Sequence, residues 1–329
     1  MKKTALAITL SLVVLLCGCI NETPAPDAEE DRILVGFSQV GAESEWRVAN
    51  SESMKAALSD SNGYELIFDD ARNMQENQIR AIRTFIQQDV DYIVFSPRVE
   101  TGWNSILQEA KEAGIPVIVI DRYIEVADRG LYTTYVGSNF LEEGEKAVAW
   151  LENLLEQQGR SDETIRIVHI QGTKESSAQI GRTAALDQAM EQHPNWEMVE
   201  QVDGDFTRAK ASEVMGSILE KTTDIDVVYC ENDGEALGAI DALEEAHIKC
   251  NVDGGVIVIS FDATRLGLTY CKQGRIALNV ECNPLQGPYV DEIIKSLESG
   301  EPVEREKYID ETQFDCFTIT QAMIDARGY

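Results

Sequence analysis

The sequence predicts an α/β protein of two doubly wound parallel-sheet lobes joined by a hinge, and three observations carry that prediction. At 329 residues the chain is longer than one hydrophobic core usually supports. Short apolar runs rich in β-branched residues alternate with stretches of helical period. The alternation runs through the first half of the chain and then again through the second, as two parallel sheets with right-handed crossovers require.

In order, the first half reads as a strand over 33–40, a helix over 45–59 closing near Asn62-Gly63, a strand over 64–70 and a helix over 74–88. A strand over 91–97 (DYIVFSP) and a helix over 101–113 lead into PVIVIDR, 116–122. That last run is continuously apolar up to Asp121-Arg122, the pattern of a strand buried on both faces. A strand over 131–138 closes the lobe or leads to the next. The second half gives helices over 140–157, 177–192, 206–220 and 235–246. Its strands cover 164–172, 198–204, 226–233 (DVVYCEND) and 255–262 (GVIVISFD). Residues after about 282, with a helix over 289–297, are long enough to return to the first lobe.

Composition narrows the function. A formal charge of −30 argues against nucleic acid, whose phosphates need clustered Lys and Arg. For most of the excess carboxylates the reading is solubility. Residues 1–18 read as a signal peptide, with Lys2 and Lys3 ahead of an apolar core too short for a membrane span. It ends Leu16-Cys17-Gly18-Cys19, which resembles a bacterial lipobox with Cys19 as the lipidated residue. Residues 19–31 then read as a flexible, lipid-anchored tether. Cys230, Cys250, Cys271, Cys282 and Cys316 remain, an odd number with no zinc-type spacing. They read as structural, with connectivity open and no metal or cofactor implied.

In open α/β sheets ligands bind outside the carboxyl ends of the strands. The residues there are 39–47, Asp121-Arg122, Asn232-Asp233, Asp262 and Glu281, drawn from both halves. Carboxylates accept, arginines donate and amides do both, which suits the hydroxyls of a sugar. Trp46 offers an aromatic face to the apolar side of a sugar ring, or else packs a helix on the sheet. Asp121-Arg122 alone would equally be an ion pair or a cap, and Asn232-Asp233, Asp233 above all, a helix N-cap. Trp103 and Trp150 read as core, Asp69-Asp70 as a strand end, His169 as a satisfied buried histidine, and Met190 and Met215 as gap fillers. Phosphate-loop, dinucleotide, nucleophile-elbow and zincin motifs are absent, so no catalytic residue is assigned. Carboxylate pairs for glycoside hydrolysis stay possible, since their separation is spatial.

At these residues the chain resembles the sugar-binding proteins of bacterial ABC importers, of the type I periplasmic-binding fold, and among them the galactofuranose-binding group. The resemblance lies in VGFSQVGAESEWR (35–47), ENQIRAIRTF (76–85), TGWNSILQEAKEAGIPVIVIDR (101–122), GDFTRAKASEVM (204–215) and ENDGEALGAI (231–240). It implies three hinge crossings, one lobe over 32–137 and 283–309, and the other over 138–282 and 310–329. It further implies ligand contacts from Glu43, Trp46, Arg47, Asp121, Arg122, Arg182, Asn232 and Asp262, with Glu281 and Phe206 as weaker candidates. Three positions depart from the group's pattern: Glu45 replaces a small residue, QGTKESSAQIGR (171–182) lacks the group's glycine-containing turn, and Ala263-Thr264-Arg265 replace a Gly and Pro. The implied protein is an extracytoplasmic, lipid-anchored monomer that delivers a furanose to an ABC permease; truncating Asp121 or Arg122 should abolish binding and leave the fold intact. A sensor presenting its ligand to a receptor is the alternative among binding proteins, and a sugar-active enzyme the alternative of another class. A DNA-binding regulator of the same fold is disfavoured, because a signal peptide stands where its helix-turn-helix would be.

Overall fold

The structure is a computed structural model that describes residues 32–329; the predicted signal peptide, Cys19 and the tether lie outside the described residues. The first sheet contains β1 (Ile33–Gln39), β2 (Tyr64–Asp70), β3 (Tyr92–Phe95), β4 (Val117–Asp121) and β5 (Thr134–Gly137), with β11 (Glu306–Tyr308) on its edge. The second contains β6 (Ile165–Gln171), β7 (Trp196–Asp203), β8 (Val227–Cys230), β9 (Ile257–Asp262) and β10 (Leu278–Glu281), with β12 (Gln313–Asp315) on its edge. Their orders are β2-β1-β3-β4-β5-β11 and β7-β6-β8-β9-β10-β12, the same winding twice. All pairings are parallel except β10 with β12. The order reverses beside β1 and beside β6, and the carboxyl ends at such switch points are where a ligand crevice forms.

Each sheet is covered on both faces, as continuous apolar strands demand. In the first lobe α1 (Glu45–Ala57) and α9 (Gly287–Glu298) bring Met54, Val290 and Ile294 onto Val35, Phe37 and Ile118. On the other face α2 (Gln75–Gln87) and α3 (Asn104–Glu112) pack Ile82, Phe85 and Leu107 on Ile93 and Val119. In the second lobe α4 (Phe140–Gln157) and α5 (Ser177–Gln192) cover one face, with Leu151 and Leu186 on Ile167 and Ile259. The other face takes α6 (Arg208–Leu219), α7 (Asp233–Glu245) and α8 (Arg265–Lys272), with Met215, Ile240 and Leu268 on Val228 and Val258. α6 and α7 touch closely because Gly238 faces Arg208 O and Ala211, where a β-carbon would collide with backbone.

The fold differs from the sequence reading in a few places. The strand predicted over 131–138 is shorter, because residues 129–131 form a 3-10 turn capped by Asp128. β10, β11, β12, α8 and α10 (Gln321–Asp325) were not predicted. Most are short, and a three-residue edge strand is held by its neighbour more than by its own pattern. Trp103 is fully buried, and His169 is buried between Glu231 (2.9 Å) and Gln201 (3.1 Å), as read. All five cysteines of the body are free thiols.

Candidate functional site

The site begins at the amino end of α1. Ser44 caps that helix by accepting from the Arg47 N–H at 3.1 Å, which sets Glu43, Trp46 and Arg47 at its first turn. Arg47 is buried and anchored on every side. Nη1 donates to Asp121 Oδ2 at 2.6 Å, to Ser96 Oγ at 3.2 Å and to Gln39 Oε1 at 3.3 Å, and Nε donates to Glu43 Oε1 at 3.0 Å. Ser96 Oγ also donates to Asp121 at 2.8 Å. Arg122 rests on the Arg98 carbonyl at 3.0 Å and lies over the Phe206 ring of the other lobe at 5.3 Å. Its Nε and Glu43 Oε2 are buried without a hydrogen-bond partner.

The second lobe supplies the opposite wall. Arg182 on α5 donates from Nε to Glu143 Oε2 at 2.7 Å and from Nη1 to the Glu231 carbonyl, with its guanidinium over Phe140 and Phe261. Asn232 Oδ1 accepts the Glu235 N–H at 2.8 Å, and its Nδ2 donates to Phe206 O at 3.2 Å. Asn232, and not Asp233 as the sequence suggests, is therefore the cap of α7. Asp233 instead accepts from Ser260 Oγ (2.6 Å), from Thr264 N–H (2.8 Å) and Oγ1 (2.6 Å), and from Asn279. That cage fixes the turn carrying Asp262, where Asp262 (φ 101°) and Ala263 (φ 56°) hold left-handed backbone without a glycine. Asp121, at the matching strand end of the first lobe, has φ 61°. The two lobes thus each present one carboxylate from the end of the fourth strand in the sheet order.

All eight sequence-predicted ligand residues (Glu43, Trp46, Arg47, Asp121, Arg122, Arg182, Asn232 and Asp262) line one cavity of about 310 Å³ between the lobes. Across the lobe boundary Trp46 Nε1 donates to Cys282 O at 2.6 Å, the Glu100 N–H to Glu175 O at 2.9 Å and the Tyr123 N–H to Ser177 Oγ at 2.7 Å. Phe206, a weaker candidate, is in the wall. Glu281 is not: it binds Arg327, Tyr329 and the Thr312 N–H instead.

The electrostatics follow from burial among charges. Burial pushes the Glu43 carboxyl up, but Arg47 and Arg122 outweigh it and hold the group below the usual carboxylate range. Burial and then the like charge of Arg47 pull Arg122 down to about 10, against Asp121 and Glu43. Asp262 is pushed well up by burial and by Asp233, with Arg182 opposing. A ligand that both donates and accepts would satisfy the orphaned Arg122 Nε and Glu43 Oε2 together.

Residues 35–287 match the family described as the periplasmic binding protein domain. The chain belongs to that family. This periplasmic binding protein is 36% identical over 291 residues to the galactofuranose-binding protein YtfQ of Escherichia coli (strain K12), covering 87% of this chain and 89% of that one. Its fold matches a Mycobacterium smegmatis protein solved with β-D-fucofuranose (TM-score 0.82, 40% identity, 89% of this chain and 93% of that one). It equally matches the arabinose ABC transporter's binding protein from Shewanella sp. ANA-3, bound to α- and β-L-arabinofuranose (TM-score 0.82, 36% identity, 90% and 95%).

Sequence reasoning included Ser44 in the stretch 39–47 but missed several members of this periplasmic binding protein's candidate site: Phe140, Ala178 and Cys282 in the wall, and Ser96 and Glu143 behind it. Phe140 stands at the start of α4 directly after its Asn139 cap, so an aromatic at a strand-to-helix junction was the available signal. Glu143 had none, because FLEEGEKAVAW reads as a solvated helix face. Among the described residues, Glu143, Cys282 and Glu311 are the group close enough to share a metal ion.

Proposed function

We propose that this protein is a lipid-anchored, extracytoplasmic, monomeric solute-binding protein that encloses one furanose-form monosaccharide, galactofuranose or a near relative, for delivery to an ABC permease. The observation that carries the reading is the convergence of buried arginines and carboxylates from both lobes on one cavity of about 310 Å³. In this reading Asp121, Asp262 and Glu43 accept from hydroxyls, Arg47, Arg122 and Arg182 donate, and Asn232 does both. Trp46 and Phe206 cover the apolar faces of the ring. The first lobe holds five of these groups and the second four, so the sugar stabilises the closed pair over the open one by its differential contacts. Relatives at 36–40% identity whose names or structures carry furanoses support the ring form. The test is a thermal-shift screen of the unlipidated protein against pentoses and hexoses. A ligand at about 100 times its Kd adds roughly 2.7 kcal/mol, so one or two furanose-forming sugars should raise Tm by several degrees. Flat traces across the panel would reject the sugar.

A further inference from the structure

The chain passes between the sheets three times: after β5, after β10, and between β11 and β12. Glu311 stands on the third passage. Its Oε1 accepts from Ser138 Oγ on the first at 2.7 Å and from the Asn283 N–H on the second at 2.6 Å. Its carbonyl takes Lys146 Nζ of α4 at 3.0 Å. An oxygen of Glu311, an oxygen of Glu143 and the Cys282 sulfur lie within 4.8 Å of one another. Glu143 is 1% exposed, gives Oε2 to Arg182, and keeps Oε1 buried with no hydrogen-bond partner.

We propose that Glu311 is a positioning residue for the cavity: its carboxyl shares one proton with Glu143, knots the three passages together, and so holds Glu143 against Arg182. The charges around the pair require it. Arg182 is the cation beside Glu143 and is already engaged by it, while Lys146 meets Glu311 at its carbonyl and pairs with Glu142 at 3.0 Å. Cys282 after β10 and Tyr135 of β5 face the pair as neutral groups, both pushed up by burial. Asp262 of β9 adds no cation. A second bare carboxylate would meet Glu143 across a dry contact, whereas a protonated Glu311 removes that repulsion and gives Glu143 Oε1 its missing donor. Burial and then Glu143 push Glu311 up to about 9, and burial pushes Glu143 up with Arg182 opposing, so the proton is retained through neutral pH. The link to sugar affinity rests on the proposed function; the shared proton does not.

The test is E311Q in the whole protein, because glutamine keeps the acceptor for Ser138 and Asn283 and permanently copies the protonated oxygen. The folded wild type holds a proton that the unfolded chain releases near the ordinary carboxylate range. Its folding constant should therefore fall relative to that of E311Q by about tenfold per pH unit from roughly pH 5 to 9. With L-arabinose as probe, wild-type affinity should fall earlier and more steeply than that of E311Q as pH passes about 9, the loss of charge at Arg122 near 10 acting on both, while E311A binds weakly at every pH and E311Q restores what it loses. Parallel pH profiles of wild type and E311Q in unfolding would overturn the proposal. So would stabilisation of the wild type by Zn²⁺ at pH 7 that E311Q lacks, since the trio would then be a metal site. A protein that binds no arabinose still gives the unfolding comparison, so failure of the sugar reading and failure of the proton are read separately.

Discussion

Replacing Asp121 by alanine removes more than the proposed sugar contact. Arg47 is 3% exposed, and its shortest hydrogen bond is the 2.6 Å contact to Asp121. Truncation leaves a buried guanidinium with one carboxylate, Glu43 at 3.0 Å, and strips Ser96 Oγ of an acceptor. Breaking a buried pair costs about 3–5 kcal/mol, and the surviving Glu43 contact puts this case near 3. At roughly 2–4 °C per kcal/mol, Tm of the ligand-free protein should fall by about 6–12 °C. The expectation that Asp121→Ala spares the fold is thereby revised: the fold survives with a clear loss of stability. Asp121→Asn keeps an oxygen for Arg47 and should cost far less stability, yet lose the charge-assisted bond to a hydroxyl, worth about 1.5–3 kcal/mol or roughly 10–150-fold in Kd. Calorimetric unfolding and titration of both variants separate the two effects. An Asp121→Ala protein with unchanged Tm would refute the buried-pair reasoning, and an Asp121→Asn protein with unchanged Kd would remove Asp121 from the site.

Three further outcomes follow from the same geometry. Arg182→Met leaves Glu143 buried without its cation, so it should lose about 3–5 kcal/mol at pH 7 in urea unfolding. That loss should shrink as pH falls, because Glu143, already raised by burial, then takes up a proton. Gly172→Ala puts a β-carbon into the Phe206 ring, so overpacking of about 1–3 kcal/mol should come with weaker sugar binding; Gly238→Ala, which crowds α6 on α7 away from the cavity, should destabilise without changing Kd. Trp46→Phe orphans the Cys282 carbonyl, costing about 1–3 kcal/mol, and should abolish most of the sugar-induced change in tryptophan fluorescence.

What could be read in the sequence was what local pattern dictates. The run ending at Asp121 is continuously apolar because both faces of β4 are covered, and its end marks the crevice before any coordinates are known. Asn232 stood out by its place after a strand, although the reading favoured Asp233 over it as the cap of α7, since both residue types cap well. The cage around Asp233 joins residues from β9, β10 and the start of α8, a spatial fact with no periodic trace. Glu143 and Glu311 were invisible for the same reason. A carboxylate in an acidic helix and one in the polar run IDET look solvated, and only tertiary packing buries them.

The central claim is that the cavity between the lobes takes one sugar as its five-membered ring. Titration calorimetry with methyl β-D-galactofuranoside and methyl β-D-galactopyranoside, each locked in its ring form, tests it most directly. One furanoside per protein, bound at least tenfold more tightly than the pyranoside, is the predicted result. Equal affinity for both rings, or heat from neither, would contradict it.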